Sequence, residues 1–211
     1  MDGINGSTVF TDVKGHTFTR AGTNAAISTV ASKFGGASLS FPVANENITS
    51  NSSSDFAFGT GDFTIEEWIQ FSDYTLVQQG LFSTVQNAGG VGISISSSNG
   101  VFNVYIGSGA AGSNVLSGVA SGIVDSSTFH HVAVTRAGTT LRLFIDGVQK
   151  GSTTDSSNLD RTIAGVGTFY TDTTGSATRG FTGYVDDLRI TKGVARYTSN
   201  FTPPTAAFPN Q

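Results

Sequence analysis

Apolar residues recur at every second position through most of this chain, and the runs stop at clusters of Gly, Asn, Asp and Ser. That period fits strands with one buried face, because successive side chains on an extended backbone point to opposite sides. Val91-Gly92-Ile93-Ser94-Ile95-Ser96 puts its apolar side chains on one face. Ser98-Asn99-Gly100 is then a turn signal, and Val101-Phe102-Asn103-Val104-Tyr105-Ile106 resumes the extended pattern, so the whole predicts a hairpin. A second hairpin joins positions 129–136 to 141–146, and Asp146-Gly147 marks a tight turn into Val148-Gln149-Lys150. Both central residues of a type I′ turn need positive φ, which Asp-Gly accommodates. Positions 63–71 read as a central strand with Phe63, Ile65, Ile69 and Phe71 on one face, interrupted there by Glu67. Positions 180–191 read as another, whose broken alternation predicts a bulge near Asp186. No window of about 11 residues carries a helical period, and positions 24–33, the nearest candidate, are rich in β-branched residues. The chain is expected to be all-β with little helix.

Its 211 residues suit a single β domain, and the 37% hydrophobic content with 16 Phe is enough for one core. The expected division is a domain over 1–201 and an extended, proline-rich tail over 202–211 that leads to another protein. Charged residues make up 12% and the formal net charge is −4, which excludes the clustered basic face that nucleic acid requires. Having no cysteine, the chain has no disulfide, no thiolate nucleophile and no Cys-ligated metal. The first residues, Met1-Asp2-Gly3-Ile4-Asn5-Gly6, lack the basic and apolar regions of a signal peptide, so Sec export is not expected. Apolar runs are too short for a membrane-spanning helix, so no membrane insertion is expected.

Five segments taken in order resemble a known family. They are Lys33-Phe34-Gly35-Gly36-Ala37-Ser38-Leu39-Ser40-Phe41, Phe56-Ala57-Phe58-Gly59-Thr60-Gly61-Asp62-Phe63-Thr64-Ile65-Glu66-Glu67-Trp68, Phe129-His130-His131-Val132-Ala133-Val134-Thr135-Arg136, Leu143-Phe144-Ile145-Asp146-Gly147, and Gly183-Tyr184-Val185-Asp186-Asp187-Leu188-Arg189-Ile190 running on to Phe201-Thr202-Pro203-Pro204. Together they are similar to a laminin-G-like, concanavalin A-like lectin/glucanase domain. The resemblance implies a jelly-roll β-sandwich of two antiparallel sheets. Its closing stretch, Asp187 to Tyr197, is similar to those of bacteriophage virion proteins and bacterial surface proteins. The expected role is a non-catalytic virion protein, as capsid decoration, head fibre or tail fibre, binding glycans and other virion proteins and assembled as a homotrimer. A bacterial cell surface is the alternative location. The family usually has an apolar residue where this chain has Glu67, so that face is expected to be wet or to meet a partner.

Glycoside hydrolysis is the competing expectation, and it needs two carboxyl groups about 5 to 9.5 Å apart. Only Glu46, Glu66 and Glu67 are available as glutamates, and adjacent Glu66 and Glu67 point to opposite faces of a strand. No catalytic residue is assigned. His130 and His131 diverge for the same reason, and a buried, hydrogen-bonded His131 is expected. The resemblance implies that Asp186 and Asp187 fix the end of the last strands by bonding to backbone. It also raises calcium as a cofactor, because the ion takes six to eight oxygen ligands and loops of this fold supply many. The candidate ligands are Asp2 and Asp12 near one end of the chain with Asp186 and Asp187 near the other. A sugar site needs an aromatic platform, and Tyr105, Tyr170, Tyr184 and Tyr197 are the candidates, with Trp68 expected to be buried. A third expectation is a purely structural subunit without a ligand.

Overall fold

In chain order the strands are β1 (Phe10–Thr11), β2 (Thr17–Ala21), β3 (Ala26–Ser28), β4 (Ser38–Phe41), β5 (Asn47–Ser50), β6 (Phe63–Phe71), β7 (Gln79–Ser83) and β8 (Gly92–Ser98). There follow β9 (Val101–Gly107), β10 (Ser113–Ala120), β11 (His130–Ala137), β12 (Thr140–Ile145), β13 (Val148–Thr154), β14 (Gly165–Val166) and β15 (Gly183–Lys192). This computed structural model describes residues 3–86, 89–108, 112–171 and 180–209. One 3₁₀ turn, Ser54–Phe56, is the helical content among them, and no described helix is long and apolar enough to cross a membrane. The strands form two antiparallel sheets, ordered β1-β2-β5-β14-β7-β8-β9-β10 and β13-β12-β11-β6-β15-β4-β3. This is the two-sheet sandwich that the family resemblance implies. Positions 24–33 contribute the short strand β3 rather than a helix.

Turn chemistry sets the registers. Asn99 and Gly100 adopt φ of 51° and 74°, and Asp146 and Gly147 adopt 50° and 76°, so both hairpins have the positive-φ pair that the sequence requires. The expected bulge is present: the pairing of β15 with β6 shifts between Asp186 and Arg189, and Asp187 takes a φ of 48° to absorb the extra residue.

Strand β6 lies at the centre of the seven-stranded sheet, between β11 and β15. Phe63, Ile65, Ile69 and Phe71 point inward and meet the inner face of the other sheet, where Phe71 and Phe102 pack with ring centroids 6.4 Å apart. Outward from the same strand point Thr64, Glu66, Trp68 and Gln70, and these too are largely covered. Lys33 and Phe34 lie over Trp68, Gln70 bonds to Ser126 O, and the segment after β15 covers Thr64 and Glu66. Thr64 Oγ1 donates to Val194 O at 2.9 Å, Thr135 Oγ1 to Tyr197 O at 2.8 Å, and Phe201 N to Gly147 O at 2.9 Å. Tyr197 stacks on Phe201 at 3.6 Å, and Phe201 packs against His131 and Phe144. Farther along, Phe208 N donates to the Asp187 carboxylate while its ring lies 3.7 Å from the Arg189 guanidinium. Residues 201–208 thus lie against the body of the domain.

Glu67 falls on the inward face and is 1% exposed. The expectation of a wet or partnered face there is corrected: β6 is a central strand, and the opposite sheet closes over it. Neither carboxyl oxygen has a hydrogen-bond partner among the described residues, and burial pushes its pKa up to about 8. The group is therefore neutral in the folded chain at pH 7. Unfolding returns it to the ordinary glutamate range near 4.5. Below that value both states hold the proton. Between about 4.5 and about 8 only the folded state does, so stability falls with rising pH by roughly 1 kcal/mol per unit, and the loss stops growing above about 8. Urea unfolding at pH 5, 6.5 and 8 is expected to show this decline in the wild type. Glu67→Gln, which cannot ionise, is expected to lack that part of it.

Candidate functional site: a groove on the outer face of the eight-stranded sheet

The hairpin of β8 and β9 builds the floor of a groove. Ile93, Ile95, Phe102, Val104 and Ile106 enter the core, so alternation turns Ser94, Ser96, Ser98, Asn103 and Tyr105 to the opposite face. Register places Ser96 beside Asn103 and Ser94 beside Tyr105. Asn114 continues the floor on β10, directly across from Tyr105.

The wall comes from a distant part of the chain. Residues 167–171 cross over β7, where Gly80 is required: a Cβ there would collide with the backbone of Thr168 and Phe169. Gly167 N donates to Leu81 O at 2.8 Å, Ser83 Oγ to Phe169 O at 2.7 Å, and Thr171 N to Val85 O at 2.8 Å. These bonds set Phe169 edge-on to Tyr105 at 5.3 Å, with Tyr170 4.8 Å beyond it. Gly112 N donates to the Tyr105 hydroxyl at 2.7 Å, which fixes that ring from the other side. Gln78, with a φ of 60°, also lines the groove. The groove encloses about 490 Å³, within the range of small-ligand sites. Its lining combines aromatic rings with hydroxyl and amide groups. None of its described lining residues is acidic or basic. Such a surface can orient a polyhydroxylated ligand by hydrogen bonds and stacking.

The titratable groups singled out in the sequence lie elsewhere. Glu66 sits under the C-terminal segment on the other sheet, accepting from Arg189 Nε at 2.8 Å and Tyr197 Oη at 2.8 Å, with His131 Nε2 at 3.2 Å. Burial raises its pKa, but the hydrogen bonds of His131 and Tyr197 and the charge of Arg189 outweigh that and hold it below the ordinary value. His131 is buried and hydrogen-bonded as expected. His130 instead pairs at 2.7 Å with Asp146, in the turn between β12 and β13.

Of the calcium candidates, Asp2 lies outside the described residues. Asp12 bonds to His16 Nδ1 at 2.6 Å and to the amides of Lys14 and His16, beside β1 of the eight-stranded sheet. Asp186, on β15 of the other sheet, accepts from Lys33 N at 2.7 Å and Phe34 N at 3.0 Å, and from Asp187 N at 2.8 Å. Asp187 accepts from Phe208 N at 2.9 Å. Among the described residues, no three His, Cys or acidic side chains are placed to hold a metal ion. Asp186 and Asp187 do what the resemblance implies, tying loop and tail backbone to the last strand, and the described residues do not assemble the calcium arrangement. Among the tyrosines, Tyr105 and Tyr170 come together in the groove, Tyr197 joins Glu66, and Tyr184 lies on the seven-stranded sheet. Ser96, Asn103 and Asn114 were not singled out in the sequence, although the alternation of the hairpin places the first two on the open face.

Two antiparallel sheets with a polar, aromatic-walled groove on one outer face define a lectin-like β-sandwich. The chain belongs to the concanavalin A-like lectin/glucanases superfamily, whose model matches residues 43–196. The comparison with curated proteins finds no sequence match. Among solved structures, domain 4 of the extracellular GH43 arabinanase AbnA from Geobacillus stearothermophilus, in complex with arabinotriose, is similar with a TM-score of 0.62 and 16% identity. That likeness covers 85% of this chain and 84% of the other. The carbohydrate binding module CBM66 from Bacillus subtilis gives a TM-score of 0.53 at 14% identity, over 83% and 95%. The binding domain of botulinum neurotoxin serotype D gives 0.60 at 15%, over 90% of this chain and 47% of that one. At these identities the likeness establishes the fold.

The role of Asp186 has a direct check. Asp186→Ala leaves the amides of Lys33 and Phe34 without an acceptor and is expected to cost about 1–3 kcal/mol of stability. Thermal unfolding is expected to show the same loss in calcium and in EDTA.

Proposed function

We propose that this chain is a non-catalytic glycan-binding module. The observation that carries the reading is the groove, where Tyr105, Phe169 and Tyr170 stand beside Ser96, Asn103 and Asn114. A sugar ring presents hydroxyls that need donors and acceptors and a C–H face that packs on aromatic rings. The membership in a lectin/glucanase superfamily supports the same reading. A hydrolase would need two carboxyl groups about the scissile bond. The described lining offers none.

The biological setting we propose is a bacteriophage virion, with the module serving as capsid decoration or as part of a head or tail fibre, and with other virion proteins and host-surface glycans as partners. Its support is the resemblance of the stretch from Asp187 to Tyr197, together with a cysteine-free chain suited to folding in a reducing cytoplasm. Threefold assembly belongs to this proposal. Sedimentation of the purified chain at micromolar concentration is expected to give a trimer, and a stable monomer there would remove that part.

Glycan-array binding by the folded protein tests the central claim. Saturable binding that survives EDTA is expected, because no carboxylate is among the described groups of the groove. Tyr170→Ala is expected to weaken it by about tenfold with the melting temperature little changed. Absence of binding would favour a purely structural subunit.

A further inference from the structure

The geometry points to Ser53 as an activated hydroxyl and a site of covalent acylation, separate from the groove. Ser53 follows β5 and caps the 3₁₀ turn, beside the hairpin of β1 and β2. That edge of the eight-stranded sheet is opposite the one formed by β8, β9 and β10. Ser53 Oγ is 3.1 Å from His16 Nε2, and His16 Nδ1 is 2.6 Å from Asp12 Oδ2. The carboxylate is itself fixed, because Asp12 Oδ1 accepts from Lys14 N at 2.9 Å and from His16 N at 2.8 Å. Phe56 packs on the imidazole with ring centroids 4.9 Å apart. A carboxylate at Nδ1 sets the tautomer: Nδ1 carries the proton and Nε2 presents its lone pair to Ser53. The serine is held as well. Its N–H donates to Thr162 O at 2.7 Å and its Oγ accepts from Asp55 N at 3.2 Å, which directs the hydroxyl proton to His16.

A weak nucleophile within hydrogen-bond reach of a base, with that base oriented by a third group, is the arrangement that activates a serine. Ser53 is half-buried, and the Asp12 and Asp55 side chains around it are 34% and 48% exposed, so a small reagent reaches it from solvent. With an activated ester, Ser53 Oγ attacks the carbonyl carbon while its proton passes to His16 Nε2. The imidazolium so formed sits between Asp12 at 2.6 Å and Asp55 at 3.4 Å. The adduct collapses by breaking the ester C–O bond, the alcohol or phenol leaves with the proton from His16, and Ser53 keeps the acyl group. His130 supplies an internal contrast. It pairs with Asp146 at 2.7 Å, and its Nε2 is 3.1 Å from Thr128 Oγ1. Thr128 Oγ1, however, donates to the Asp125 carboxylate at 3.0 Å, so that hydroxyl proton is already engaged.

The test is acetylation of the folded chain by p-nitrophenyl acetate, with the modified residues located by peptide mass spectrometry. Ser53 is expected to react at least about tenfold faster than its exposed neighbours Ser52 and Ser54. Equal rates at the three serines would overturn the inference, and that comparison needs no variant. His16→Gln is expected to slow Ser53 by about 100-fold. Asp12→Asn keeps the size of the side chain but can turn its amide N–H toward Nδ1, which moves the ring proton to Nε2. It is expected to slow Ser53 at least about tenfold and to leave Ser52 and Ser54 unchanged. Wild-type reactivity at Ser53 in variants that retain their unfolding temperature would show that His16 does not activate it, and would also overturn the inference.

Discussion

The bonds converging on the Glu66 carboxylate hold together parts of the molecule that are far apart in sequence. Glu66 belongs to β6, His131 to β11, Arg189 to β15 and Tyr197 to the segment that follows. A carboxylate with no exposed surface carries a desolvation cost of several kcal/mol, and only close, well-oriented partners offset it. Once Tyr197 is held there, its ring can stack on Phe201, and Phe201 can cover His131 and Phe144. The outer face of the central strands in the seven-stranded sheet is thereby closed. The groove opens on the outer face of the opposite sheet.

Adjacent glutamates on β6 show how strongly strand geometry governs chemistry. Glu66 is held ionised by an arginine, a tyrosine and a histidine, whereas Glu67 faces the core and is held neutral by burial alone. One residue of register exchanges the two environments. The buried acid lowers stability as pH rises, and the well-packed inner face of Phe63, Ile65, Ile69 and Phe71 must outweigh it.

The groove depends on the same alternation applied to β8 and β9. Serine and glycine are weak strand formers, and a row of them on an outer face contributes little to folding. The apolar residues on the reverse side of the same strands hold the row in place. Its hydroxyl and amide groups are consequently set on a rigid sheet, and the loop over Gly80 adds the aromatic wall. A site fixed in this way needs little ordering when a ligand arrives.

Much of this was legible in the sequence, because strand alternation and turn chemistry are local. Asn99-Gly100 and Asp146-Gly147 specify their hairpins, the broken alternation near Asp186 specifies the bulge, and Ile93 and Ile95 specify which side of β8 Ser94 and Ser96 occupy. The five family-like segments add the sandwich. Other features were not legible. The fate of Glu67 required knowing that β6 is central and covered by a second sheet. The meeting of Tyr105 with Phe169 required a loop to cross β7 at the one position where a missing Cβ allows it. Alternation determines the face on which a side chain emerges, whereas what covers that face depends on contacts between distant segments, which no local pattern encodes.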